Sequence, residues 1–407
     1  MPTPRRSVYL DNAASTALVP AAAEAMAAAW ALPGNASSLH GSGRRARRIL
    51  EESRESIARD LGARPSEVIV TGGGTEADNL ALKGIYAARR REDGRRRKVV
   101  VSAVEHHAVL DPAQWLADEA GAELVVLPVD EAGTVRLDVL RALLADDAES
   151  VAVISVMWAN NEVGTIEPVT EVAALGAEYG VPVHSDAIAA VGHVPVDFAA
   201  SGLSAMSVAA HKFGGPQGVG ALLLRRDVAC TPLLHGGGHE RDVRSGTQDV
   251  PGVAGMAAAL REAVSRRDEH TAQVINLRDR LIAVLTAGGH ARVNGALGTG
   301  AGGSLPGIVH VSFGGCEGDS LLMLLDAKGV ECSTGSACTA GVAAASHVLL
   351  AMGMDKATAR GSLRFSLAHD NNDDDVTAVA QVIDEVTERA RAAGTLSVSG
   401  APTGGAR

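Results

Sequence analysis

The chain has 407 residues, is 46% hydrophobic and only 2% aromatic, and holds 46 glycines, so any large core must be built from Ala, Val and Leu. Its formal net charge of −11 argues against general nucleic-acid binding, DNA included. No apolar run approaches the roughly 18 residues of a membrane helix, Met1–Ser7 carries no apolar signal region, and Cys230, Cys316, Cys332 and Cys338 fit no metal-ligand spacing; free thiols in a reducing cytoplasm are expected.

In chain order, a short apolar entry over 8–14 precedes an alanine-rich helix over 20–30 and a small polar loop over 35–43 containing His40. A charged amphipathic helix over 44–61 follows, its early arginines read as a solvated face. Val68-Ile69-Val70 reads as a buried strand, and Thr71-Gly72-Gly73-Gly74-Thr75 leads into a helix over 76–90. Glycines before a helix let a ligand approach the backbone, and first-turn N–H groups attract phosphate. The basic run from Arg89 to Lys98 is read as a solvated helix end, with docking of an acidic partner as the alternative.

Strands are predicted at 98–102, 124–128 and 151–157, with a helix at 137–144. Glu105-His106-His107 lies past the first of these strands and Asn160-Asn161-Glu162 past the last. A helix over 171–179 returns to the run Val181-Pro182-Val183, which ends in His184-Ser185-Asp186. An aspartate at a buried strand end is costly unless a cation faces it. Lys212 follows another apolar strand and precedes Gly214-Gly215, a turn that lets a desolvated amine reach into a cleft and form a Schiff base. The alternation implies a mainly parallel sheet with helices on both faces, and ligands bind such sheets beyond the strand C-termini.

A strand over 218–224 leads away from Lys212. His235 and His239 are four apart, but three intervening glycines make a metal-binding helix implausible, so no metal is assigned. Residues 250–287 read as helical, 295–303 as a Gly/Ala loop, 307–313 as a strand, 321–328 as a helix, 330–332 as a short strand and 376–390 as an amphipathic helix. From Gly394 the tail has no periodicity and is expected to be disordered. Cys338 stands among small polar residues in Ser333-Thr334-Gly335-Ser336-Ala337-Cys338-Thr339, with no core to fill. Arg364 in Leu363-Arg364-Phe365 offers a fork for a carboxylate.

These stretches, from Tyr9-Leu10-Asp11-Asn12-Ala13-Ala14 to Arg364-Phe365-Ser366-Leu367, resemble the cysteine desulfurases of the NifS/IscS type in the class V aminotransferase group. The resemblance implies the aminotransferase-like α/β fold of pyridoxal 5'-phosphate enzymes. A large domain over 16–255 would carry a seven-stranded, mainly parallel sheet. A smaller α+β domain of 1–15 and 256–393 would carry the cysteine loop, and 394–407 would be the tail. Lys212 would bind the cofactor, Asp186 its ring nitrogen, and His106 would stack on the ring and move protons. Gly73, Gly74, Thr75 and His211 would hold the phosphate, and Asn161 would lie beside the ring hydroxyl and the substrate. Arg364 would clamp the α-carboxylate of L-cysteine, and Cys338 would take its sulfur as a persulfide, releasing L-alanine. The resemblance further implies a homodimer in which Thr247 reaches the partner's phosphate. The sulfur acceptor would be a protein of iron–sulfur cluster assembly or a tRNA-thiolation relay. Two positions depart from the pattern: Ala189 stands for a glutamine at the ring oxygen and Ala209 for a serine at the phosphate. A selenocysteine lyase or other enzyme of the group, and a weakened homologue acting as a scaffold, remain the alternatives.

Overall fold

Short apolar runs bounded by glycine or polar turns become strands covered on both faces. The computed structural model describes residues 7–289, 291–298, 300–335 and 345–399. Its strands are β1 (Val8–Tyr9), β2 (Val68–Thr71), β3 (Lys98–Ser102), β4 (Glu123–Leu127), β5 (Val151–Ser155), β6 (Val183–Asp186), β7 (Ala205–Ala209), β8 (Gly220–Leu224), β9 (Ala291–Val293), β10 (Ile308–Phe313), β11 (Val330–Glu331) and β12 (Ser362–Ser366). Seven of them form one sheet in the order β2-β8-β7-β6-β5-β3-β4. Only β8 runs antiparallel to its neighbours, because the short return through Gly214–Gly218 brings the chain straight back beside β7. Side chains alternate between two core layers: Val68 and Val70 enter one, Ile69 the other.

A second core gathers Val8, Leu10, Leu277, Leu281, Val309, Val311, Leu321, Phe365, Val379 and Ile383 around the antiparallel sheet β12-β10-β9 and the parallel pair β1-β11. The chain thus has the fold class expected, a large mainly parallel α/β body beside a smaller α+β one.

Several boundaries differ from the sequence reading. The helix expected over 250–287 is two, Val250–Ser265 and Arg267–Thr286, broken at Arg266. The first buries Val253, Met256 and Leu260 in the large core and the second buries Val274, Leu277 and Leu281 in the small one, so the change of core falls at Arg266 rather than before Met256. The last helix, Asp373–Ser399, continues past Ala390, and 394–399, expected to be disordered, are helical backbone; extending a formed helix is far easier than nucleating one. A helix over His107–Ala120 was not read, because Pro112 interrupts its pattern. Among the described residues no helix is long and apolar enough to cross a membrane.

Candidate active site

Every strand of the large sheet except β8 points its C-terminus to one edge, where five loops meet. After β2, Gly73 adopts φ +136 with open space at its α-carbon, and the helix Gly74–Glu92 begins with no side chain capping its first N–H groups. Those donors are available to a phosphate. Gly74 packs closely: a Cβ there would lie 2.2 Å from the Ile188 Cδ1 and 3.3 Å from the Ala209 Cβ, so the Ile188 side chain would have to turn aside. Glu76 steadies the turn from below, accepting from the Gly72 N–H at 2.6 Å and from Arg244 Nε at 2.7 Å. Thr75 is exposed beside it.

After β3, His106 caps the helix His107–Ala120, its Nδ1 accepting the Ala108 N–H at 3.0 Å, which leaves the proton on Nε2. The ring surface is open to the cleft while protein surrounds its base. That burial, then Lys212 and His107, holds its pKa down to about 4, so the ring is neutral near pH 7. After β5, Asn160 ties the next loop: its Oδ1 accepts from the N–H groups of Glu162 and Val163, and its Nδ2 donates to the Val104 carbonyl, each at 2.9 Å. Asn161 is thereby held at the cleft.

At the end of β6, Asp186 is 4% exposed and accepts the Ile188 N–H at 2.9 Å. Burial lifts its pKa to about 6 against the pull of that N–H and of Lys212. Behind it lie two fully buried carboxyl groups, Asp78 and Glu105, both pushed well above the ordinary range, chiefly by burial. His184 sits 3.6 Å from Asp78, its two ring nitrogens bonded by the hydroxyls of Ser155 and Ser207 at 2.9 Å, and burial keeps it neutral with a pKa of about 3. Among the described residues no lysine or arginine forms an ion pair with Asp186, Asp78 or Glu105.

Lys212 ends the turn Ala210–Lys212 after β7. Its carbonyl accepts from Thr16 Oγ1 and His193 Nε2, both at 3.1 Å, which fixes the turn. Its Nζ donates to the carbonyls of Ala13 at 2.5 Å and Ala14 at 3.1 Å. Burial first, then Arg364, lowers the amine pKa to about 8, opposed by Asp186 and Asp11. His211, beside it, is held to about 4 by burial and by Lys212. Ala189 lines a small cavity of about 30 Å³ with Asn12, Ala13, His193 and Lys212.

Arg364 comes from the small core, on β12. It is 4% exposed, donates from Nη2 to Asp11 Oδ1 at 2.6 Å and from Nη1 to the Asn161 carbonyl at 3.0 Å, and among the described residues its Nε has no partner. Its backbone pairs with Ser333, with N–H···O bonds of 3.0 and 2.7 Å, so the stem of the cysteine segment lies on the same ladder as the arginine. Cys338 itself lies outside the described residues. Thr247 is exposed on the loop that follows the Glu240–Asp242 turn. That turn holds three successive non-glycine residues at positive φ, pinned by Glu240: its carboxylate takes the Arg54 fork at 2.7 and 2.9 Å, the Val70 N–H at 2.9 Å and Gln248 at 3.0 Å. His235 and His239, to which no metal is assigned, precede the Glu240–Asp242 turn, His239 bonding Ser37 at 3.1 Å. The basic run is spent on the chain's own acceptors: Arg95 on Asp93, Arg96 on the carbonyls of Ala148 and Val151, Lys98 on Asp147.

The sequence reading missed Asp11, Asp78 and Glu162. Asp78 alone carried a signal, since it lies one helical turn after Gly74 on the face turned to the sheet.

The arrangement fits a phosphate-bearing pyridinium group: uncapped helix N–H groups at one end, a buried carboxylate lacking a cation at the other, and an amine of lowered pKa between. The chain belongs to the class-V aminotransferase family, whose description it matches over residues 8–379, and that family is pyridoxal 5'-phosphate dependent. Within it the chain is 58% identical, over 97% of its length and 99% of the relative's, to the IscS-like cysteine desulfurase of Mycobacterium tuberculosis. A solved NifS-like protein superposes with a TM-score of 0.86 at 35% identity, covering 94% of this chain and all of that one. SspA, solved in complex with cysteine, superposes with a TM-score of 0.75 at 28% identity, covering 89% and 99%.

Proposed function

We propose that the protein is a pyridoxal phosphate-dependent cysteine desulfurase that converts L-cysteine to L-alanine and passes the sulfur onward as a persulfide on Cys338. The observation that carries this reading is the convergence of Lys212, Asp186, His106 and Arg364 on one cleft at the sheet edge. The first-turn N–H groups of Gly74 and Thr75, with His211, would hold the phosphate; Asp186 would face the ring nitrogen, and Asn161 the ring oxygen. When bound, the cofactor supplies an electron sink for the bonds at the substrate α-carbon.

The chain's own residues supply the rest. Arg364 binds the α-carboxylate, since its guanidinium is already oriented by Asp11 and the Asn161 carbonyl. The Lys212 amine, with a pKa near 8, is suited to take the α-proton and return it, and neutral His106 can relay a second. The Cys338 thiolate attacks the substrate sulfur: the carbon–sulfur bond breaks, a sulfur–sulfur bond forms, and the carbon left behind is protonated to alanine. The persulfide then goes to an acceptor protein serving iron–sulfur cluster assembly or tRNA thiolation. The protein works as a cytoplasmic homodimer, with Thr247 reaching the partner's phosphate site; the free thiols Cys230, Cys316 and Cys332 suit that compartment. Cys338→Ser should retain the bound cofactor's visible absorbance and lose alanine formation from L-cysteine. Retained alanine formation would overturn the role of Cys338.

A further inference from the structure

Segment 336–344, which carries Cys338, lies outside the described residues, but both of its stems are described. The entry stem is Ser333–Gly335 and the exit stem begins at Ala345. We propose that Glu162 is a positioning residue that registers the cysteine-bearing segment to the substrate cleft by bonding its exit stem at Ser346, beside the point where the entry stem passes at Gly335. This rests on the assignment of sulfur transfer to Cys338.

Glu162 follows Asn161 directly, on the loop locked by Asn160, so its side chain is fixed relative to the cleft. It is 4% exposed, and its Oε2 accepts from Ser346 Oγ at the exit stem. The same oxygen lies 3.4 Å from the point where a Cβ at Gly335 would stand, and the buried His310 Nε2 lies 3.3 Å from it. Gly335 has φ +79, so the entry stem turns there in a conformation that favours glycine, with the carboxylate at contact distance and His310 slightly closer. A neighbouring contact repeats the pattern: His347 Nε2 donates to the Glu105 carbonyl at 2.9 Å, directly before His106. Consecutive exit-stem residues therefore each bond a residue adjacent to a site residue. The entry stem, through Ser333, is paired to Arg364. A thiol that must meet a sulfur atom held by the Arg364 clamp gains its reach from such anchors, because small misplacements cost rate steeply.

A group that sets the approach of Cys338, without touching cofactor or substrate, alters turnover more than binding. The test uses the holoenzyme with Glu162→Ala, Glu162→Gln, Ser346→Ala and the double variant Glu162→Ala/Ser346→Ala, with Cys338→Ser alongside. Cofactor absorbance, and kcat and KM for alanine formation, are measured for each. Loss of the Ser346–carboxylate bond should lower kcat by about tenfold in either single alanine variant, with the double variant no worse, since one shared contact is removed. KM and cofactor content should stay within about twofold of the parent. Glu162→Gln should recover most of kcat, because an amide oxygen still accepts from Ser346. Unchanged kcat in Ser346→Ala and Glu162→Ala alike, multiplying losses in the double variant, or a parallel rise in KM would overturn the proposal. Active Cys338→Ser enzyme would instead refute the assignment on which it rests.

Discussion

The lowered pKa of Lys212 makes a measurable claim about the cofactor-free protein. An amine at its ordinary value of 10.5 is neutral in roughly one molecule in three thousand at pH 7, whereas at about 8 it is neutral in roughly one in ten. The gain in reactive amine is about three-hundredfold. Two causes dominate, burial and the Arg364 cation, with Asp186 and Asp11 opposing them. Mixing apo-protein with pyridoxal phosphate in a stopped-flow spectrometer, with a free acetyl-lysine control for the cofactor's own titration, should give a binding rate that rises with pH and levels above about 8. Arg364→Met should move that midpoint upward and slow the reaction at pH 7, because a repelling cation is gone and Asp11 loses its partner. A wild-type midpoint near 10, or one that Arg364→Met leaves in place, would refute this account of the amine.

Arg54→Met should cost about 3–5 kcal/mol of stability by urea titration, since it leaves the buried Glu240 carboxylate without its cation. Although burial pushes the Glu240 pKa up, the Arg54 fork outweighs it and holds the group below its ordinary value; the resulting stability is present above about pH 4.5 and lost as pH falls through the folded pKa, and this acid limb should vanish in the variant. Mixed dimers of Lys212→Ala and Thr247→Ala protomers should regain one cofactor-tight site if Thr247 acts across the interface, and equilibrium dialysis that finds no gain over the Thr247→Ala parent would exclude it. Ala189→Gln should fill the cavity beside Lys212 and shift the visible band or its pH midpoint, while Ala209→Ser, whose neighbour is Gly74, should mainly slow cofactor loss on dialysis; two unchanged variants would show both positions to be indifferent.

Much of the site could be read from the chain because of where strands end. Asp186 and Lys212 each terminate an apolar run, and in a parallel sheet such termini meet at one edge whatever the details of packing. Arg364 was legible only through its resemblance to a family motif, for its strand pairs with segments far away in sequence. Asp11 and Glu162 look like ordinary surface carboxylates, and Asp78 is marked only by its place one helical turn after Gly74. What distinguishes them is a setting made by distant elements: Asp11 is half-buried and paired to Arg364, while Asp78 is buried by the sheet and Glu162 by the stem at Ser346. The turn at Glu240–Asp242 was likewise hidden, since no glycine marks its left-handed residues and the arginine that pins it lies 186 positions earlier. The helix break at Arg266 reflects a change of core, which periodicity within one helix does not register.

The pairing of Ser333 with Arg364 also decides where this protein can be cut and rejoined. Ser333 shares two backbone bonds with the strand residue whose side chain is proposed to grip the substrate, so replacing the chain at Ser333 would disturb the grip along with the loop. On the far side of the cysteine segment, Ser346 is bonded to Glu162. A loop borrowed from a relative should therefore be spliced after Gly335 and before Ala345. Joints there leave both anchors in place, Ser333 on Arg364 and Ser346 on Glu162, so an exchange of the segment between them can be compared with the parent without altering either contact.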